Sequence, residues 1–510
     1  MPRPAVIESL QSPPYHESFG ALGHPSILDS PDEHAGTSQS LDLDPELPSP
    51  ANTNTSSTRR PGQIEFLNYL SESITNICER DDQTGETLYV GQNSSAAFFQ
   101  AVLATQEDYQ LPPDVSIGSA FGLTNRTPLH PFGSLWSATV KVTLGDILGS
   151  LPSTERCMRY YRAYSQIAIP FVPYLLDQED FERRLVNVVQ LLSEHPDDAI
   201  LGQAAADLTY RELAGYALLF SVLASGCQFA DEVSSERILT TRVFAISVRQ
   251  AESQGLHLLT RQNGPEEEMH PMWRAIIHMD CTLALAFDRR PMSFLSARYD
   301  AVSAIQRAPE VSFFDLVNAL NCVKLEWQTA KQMDPVLRAV ETELYMAKVE
   351  QVESMLWSDT CTIKSGKSME ARLQQLVFKL HIEHFKARLY RYGSLAKDAS
   401  PEKRNLYFGL LENSYATVIE TFLSVKPLSP IVQVAWDLLF YAISSALILA
   451  GLQLTHQTRS HQELLRAFIK SLHASSDKHH LGQPNETSAY PFYHGYAVLE
   501  SILQQCEERG

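Results

Sequence analysis

Basic charge is in short supply in this chain. Its 41 Lys and Arg residues stand against 60 Asp and Glu, a formal net charge of −19, so the average surface repels a phosphate backbone. The densest basic steps are the pairs Arg59-Arg60, Arg183-Arg184, Arg289-Arg290 and Lys403-Arg404, and none of them makes a basic arm. Cysteine is sparse as well. The seven thiols, Cys78, Cys157, Cys227, Cys281, Cys322, Cys361 and Cys506, are odd in number and far apart. That excludes the dense, even framework of a small secreted domain and fits a reducing compartment. Met1 to Leu10 lacks the apolar core of a signal peptide, so the sequons at Asn54, Asn93, Asn125 and Asn485 carry little weight. There is no G-x-S-x-G, and no G-x-G-x-x-G follows a strand, so hydrolase and dinucleotide-binding readings lack their carriers. Runs of alternating β-branched residues are few and no repeat of fixed period occurs, which argues against extended sheets and regular solenoids.

What is present is helical pattern in quantity. Residues 1–62 are rich in Pro, Ser, Thr and acids and cannot bury enough apolar surface to order themselves, so they read as a disordered tail. Residues 63–510 read as one large, irregular, all-α domain, with 44% hydrophobic residues to build its core. Leu88-Tyr89-Val90 is the one short extended piece expected. Glu155 to Ala168 places Cys157, Tyr160, Tyr161, Tyr164 and Ala168 on one stripe and Arg156, Arg159 and Arg162 on another, an amphipathic helix. Ser234 to Gln254 is a further amphipathic helix, with Gly255 placed to end it in the left-handed conformation. Val434 to Leu454 is apolar enough to pose a membrane question, but Asp437, Ser444, Ser445 and Gln453 interrupt it, and a buried core helix is the favoured reading. The interior is expected from Leu218–Leu223, Trp273–Phe287 and Trp436–Leu449.

Two motifs suggest chemistry. Gly366-Lys367-Ser368 imitates the end of a phosphate-binding loop, but Cys361 stands where the loop requires glycine. His381-Ile382-Glu383-His384 has neither zincin spacing nor its inverse, although on a helix the two imidazoles share a face and could bind metal. Ordinary helix histidines are the favoured reading, so no metal, cofactor or catalytic residue is assigned.

A series of segments, taken in order, resembles the regulatory domain downstream of the DNA-binding cluster in fungal zinc-cluster transcription factors. They are Tyr89-Val90-Gly91-Gln92-Asn93-Ser94-Ser95, the Tyr160–Pro173 stretch, Leu218–Gln228, Ala251–His257 with Gly255 and His257, Trp273–Pro291, and Leu380 to Arg391. The resemblance covers about residues 85–455. Two positions depart from it: Arg289 replaces the glycine that usually precedes the arginine-proline pair Arg290-Pro291, and Tyr392 replaces a proline. Within Trp273–Phe287, the residues Trp273, Ile276, Ile277, Asp280, Ala284 and Phe287 share one face. Asp280 then needs a partner for its buried carboxylate, and Arg290 is the local candidate.

The resemblance implies a nuclear transcriptional regulator. The six closely spaced cysteines of a zinc cluster are absent, so neither the family's zinc nor its direct sequence-specific DNA reading transfers to any residue here. Partners are then expected to be other transcription regulators or a second copy of the chain, with a small-molecule effector in a helical pocket and no membrane. The competing classes are a helical scaffold that acts away from chromatin and an unrecognised helical enzyme.

Overall fold

Among the described residues, the chain is helical where the sequence repeats its apolar residues at helical spacing. The structure, a computed structural model, describes residues 62–80, 87–123 apart from 107, 108 and 114, 151–168, 178–194, 271–291, 301–333, 338–429, 435–456, 461–476 and 492–508. It also describes the single positions 148, 216, 219, 222, 223 and 226. The tail up to residue 61, the helix expected over Ser234–Gln254, and both Gly255 and His257 lie outside the described residues.

The fold is all-α. Among the described residues the sheet is one antiparallel ribbon, β1 (Ile77–Arg80) paired with β2 (Thr87–Val90), with Ile77 opposite Val90 and Glu79 opposite Leu88. Period-two alternation turns Ile77, Leu88 and Val90 inward and leaves Tyr89 exposed. Glu79, on the inward face, accepts hydrogen bonds from the Gly118 amide (3.0 Å) and the Ser116 hydroxyl (2.7 Å). The ribbon is flanked by α1 (Gln63–Ser73), α2 (Ser95–Leu103) and the short α3 (Ile117–Ala120). Ser94 starts α2 by accepting from the Ala97 amide at 3.0 Å, which satisfies one of the donors a helix start leaves open.

The amphipathic helix expected after Glu155 is α4 (Thr154–Ala163), which runs on into a π-helical turn, Tyr164–Ala168. Cys157, Tyr160, Tyr161 and Tyr164 are buried, while Arg156, Arg159 and Arg162 face solvent. With α5 (Gln178–Glu194) these residues form a small core of their own, joined by Leu219, Val222 and Leu223. Of the expected interior stretch 218–223, the described Leu219, Val222 and Leu223 therefore belong to this second core and not to the main one.

The main core is built by α6 (Pro271–Phe287), α7 (Ala301–Arg307), α8 (Phe313–Met333), α9 (Ala339–Met355), α10 (Met369–Leu395), α11 (Pro401–Val425), α12 (Trp436–His456), α13 (Gln462–Ser476) and α14 (Tyr493–Glu508). Gly366-Lys367-Ser368 is a helix start: Gly366 has φ of 55°, and the Ser368 hydroxyl caps α10 by accepting from the Ala371 amide. The short turn after α10 folds α11 back onto it, and a Cβ at Gly393 would lie 2.6 Å from a Tyr407 ring carbon. The stretch Trp436–Thr455 is long and apolar enough to cross a membrane, with a mean hydropathy of 1.8. It is 94% buried inside the protein and serves as the central core helix.

Candidate functional site

The first site forms where α6 ends. Asp288 follows the helix with φ of 50°, the left-handed conformation that glycine usually takes and that Asp tolerates better than most residues. The Arg289 amide reaches back to the Ala284 carbonyl (3.0 Å) and the Asp288 amide to Leu285 (3.4 Å), which closes the helix as a Schellman turn. This turn aims the Asp288 carboxylate inward. Its Oδ1 accepts from Lys331 Nζ (2.7 Å) and Gln328 Nε2 (3.2 Å) and lies 3.5 Å from an Arg388 guanidinium nitrogen. Its Oδ2 accepts from the Asn93 amide (3.0 Å) and side chain (3.1 Å).

The segment after β2 completes the clasp. The Gly91 amide donates to the Phe287 carbonyl at 2.9 Å, and a Cβ at Gly91 would fall 2.5 Å from Asp288 Oδ2, so only glycine fits. Arg391 donates to the carbonyls of Asn93 and Ser94, Arg388 to that of Leu285, and Arg289 to that of Tyr89. Trp327 lies under both Lys331 (4.9 Å to the ring centroid) and Arg388 (5.4 Å). Burial alone would raise the Asp288 carboxyl, but Lys331, Arg388 and the Asn93 amide outweigh it and hold it well below the usual carboxylate range. Burial lowers the Lys331 ammonium further than the Asp288 carboxylate raises it, and Arg388 adds to the lowering.

The second site lies between α6, α8, α10 and α12. His278 Nε2 is 3.3 Å from Asp437 Oδ2, and His278 Nδ1 is 3.1 Å from the Asn321 side-chain nitrogen. The His381 ring meets His278 edge-on at 5.3 Å and Tyr441 at 5.4 Å. His384 stacks on Tyr441 at 4.1 Å. One donor atom from each of His278, His381 and Asp437 falls within 4.8 Å of the other two. The His381 and His384 imidazoles are held well below their usual value, mainly by burial and then by neighbouring cations, Lys324 for the first and Arg388 for the second. Lys324 is pulled down to about 8 by burial, with Cys281 and Asp437 opposing the shift. Burial would raise Asp437, yet the His278 hydrogen bond and charge leave it below its ordinary range.

The residues singled out in the sequence are distributed as follows. Asp280 is buried, with 3% exposure, on α6 as the helical face requires; Arg290 is exposed and Pro291 buried in the turn that follows. Trp273 is in α6, while Gly255 and His257 are outside the described residues. Asp288, which follows α6 inside the quoted Phe-Asp-Arg-Arg-Pro segment, ties the end of that helix to its neighbours and is a residue that sequence reasoning does not single out. Arg388 likewise stands inside the quoted Leu380–Arg391 segment without a signal of its own, and Lys331 carries no local signal. In the sequence, Asp437 is only an interruption of an apolar stretch. No family model, no curated protein and no solved structure matches this chain.

Proposed function

We propose that this chain is a nuclear transcriptional regulator of the kind its segments resemble, the fungal zinc-cluster factors, and that its helical domain acts through partner proteins. One observation supports this reading above the others. Three segments that carry the resemblance, Tyr89–Ser95, the end of Trp273–Pro291 and Leu380–Arg391, satisfy one another's buried polar groups around Asp288. Apolar helices recur by chance, but a left-handed aspartate, a glycine without room for a Cβ and two arginines on backbone carbonyls are separate requirements met together. The acidic balance is in keeping with an indirect route to DNA.

The decisive experiment is chromatin occupancy of the tagged endogenous protein, paired with a reporter to which the chain is tethered by a foreign DNA-binding domain. Discrete occupied loci and a change in reporter output are expected. Absence of occupancy, together with a stable partner away from chromatin, would replace this reading with the scaffold.

A further inference from the structure

We propose that His278, His381 and Asp437 form a binding site for one divalent transition-metal ion of the zinc class, with two imidazole nitrogens and one carboxylate as ligands and a fourth position open to water. The three ligands come from three different helices, α6, α10 and α12, so their convergence is a tertiary event with no sequence motif behind it. Tetrahedral ligands at about 2.0–2.1 Å from zinc sit about 3.3 Å from one another. His278 Nε2 and Asp437 Oδ2 already stand 3.3 Å apart, and the full set spans at most 4.8 Å, a gap that small side-chain rotations close.

Two unpartnered atoms point to an absent occupant. His381 is 3% exposed, and its Nδ1 has no hydrogen-bond partner. Buried polar atoms are paired in most proteins, so a buried imidazole nitrogen left alone, on a residue that already offers a donor to this cluster, calls for a ligand. Asn321 supplies the second: its Oδ1 is buried without a partner, while its nitrogen faces His278 Nδ1. A half-turn of that amide places Oδ1 against His278 Nδ1, which then carries the proton and leaves Nε2 free to bind metal. A hydrogen bond from the far nitrogen of a ligating histidine to a carbonyl is the usual second layer of such sites.

The donor set selects the ion. Magnesium and calcium require mostly oxygen ligands, whereas imidazole with carboxylate suits zinc and its neighbours. The side chains of His278 and Asp437 keep 18% and 17% exposure, which gives an ion a route in and room for a water. Lys324 acts on both His381 and Asp437 and opposes a cation, so affinity must come from the ligands and not from the surrounding field. The competing account is a plain His278–Asp437 hydrogen bond with His381 packed against it. The proposal is independent of the role in transcription.

The test uses the purified full chain, stripped with chelator and titrated with Zn(II) and Co(II). About one ion per chain is expected, with an intense tetrahedral Co(II) spectrum lacking thiolate charge-transfer bands and a rise in Tm on zinc loading. His278→Gln and Asp437→Asn should abolish that uptake while keeping the helical circular dichroism signal, and Asn321→Ala should weaken binding about tenfold or more. No stoichiometric uptake by the wild-type chain, or uptake unchanged in the folded variants, overturns the proposal. If both variants fail to fold, the wild-type Co(II) spectrum decides: a weak octahedral spectrum, or one with thiolate bands, also overturns it.

Discussion

Asp288 does two things that conflict in most residues. It accepts a left-handed backbone, which glycine would take at lower cost, and it places a charge in the protein interior. A glycine would relieve roughly 1 kcal/mol of backbone strain, but it would leave Lys331 and Arg388 facing each other without a counter-charge. Removing one partner of a buried ion pair typically costs about 3–5 kcal/mol, so the charge wins and aspartate is the residue that fits. Asp288→Asn, which keeps the tolerance for the left-handed turn, should therefore destabilise the protein by about 3–5 kcal/mol at neutral pH, measured by urea denaturation. Because the Asp288 pKa is depressed on folding, its contribution is full above the ordinary value of 3.8 and declines as pH falls toward the lower folded value. The gap between wild type and Asp288→Asn should narrow below about pH 4; a gap that stays constant into acid would remove the charge from the account. Local sequence reasoning looked to Asp280 and Arg290 because they are near each other in the chain. It could not find Lys331 or Arg388, which reach Asp288 from other helices.

At the scale of elements, several helix starts rest on local side-chain chemistry. Ser94, Ser368 and Ser400 each cap a helix with the side-chain oxygen, and Pro401 follows Ser400 at a position where its missing amide costs nothing. The Gly366-Lys367-Ser368 resemblance to a phosphate loop came from this same capping chemistry. Gly393 sits within α10, where alanine would improve helix propensity by about 1 kcal/mol. Its Cβ, however, would meet the buried Tyr407 ring at 2.6 Å and Thr342 Cγ2 at 3.0 Å. Overpacking of this kind costs about 1–3 kcal/mol. Gly393→Ala should thus be destabilising in a denaturant melt, and a stabilised variant would show that the α10–α11 contact has slack. No periodicity argument reaches this point, because a close helix approach depends on the residue opposite.

At the scale of the whole molecule, apolar burial among the described residues sorts into two cores of unequal size. The main one surrounds α12, whose residues Ala442 to Ala450 are each completely or almost completely buried, Ser444 and Ser445 among them. The smaller one joins α4 and α5 with Leu219, Val222 and Leu223. Opening free energy follows the buried apolar surface a region contributes, so α4 and α5 should exchange their amide protons faster than α12. Hydrogen exchange read by mass spectrometry checks this, and equal protection in the two regions would mean that they open as one unit. The hydropathy of α12 alone left a membrane span and a core helix both open. In this structure neighbouring helices cover its side chains.

The sequence by itself determined the all-α class, the strand at Leu88–Val90 though not its partner Ile77–Arg80, the amphipathic stripe of α4 and the identity of α6 and α12, because each follows from local spacing of apolar residues. Tertiary structure alone decided which polar residues meet. Asp288 with Lys331 and Arg388, and His278 with His381 and Asp437, are pairings between helices. Helical periodicity states which face a side chain is on, but not which residue of a distant helix will face it. The chemistry of this protein lies in that second kind of information.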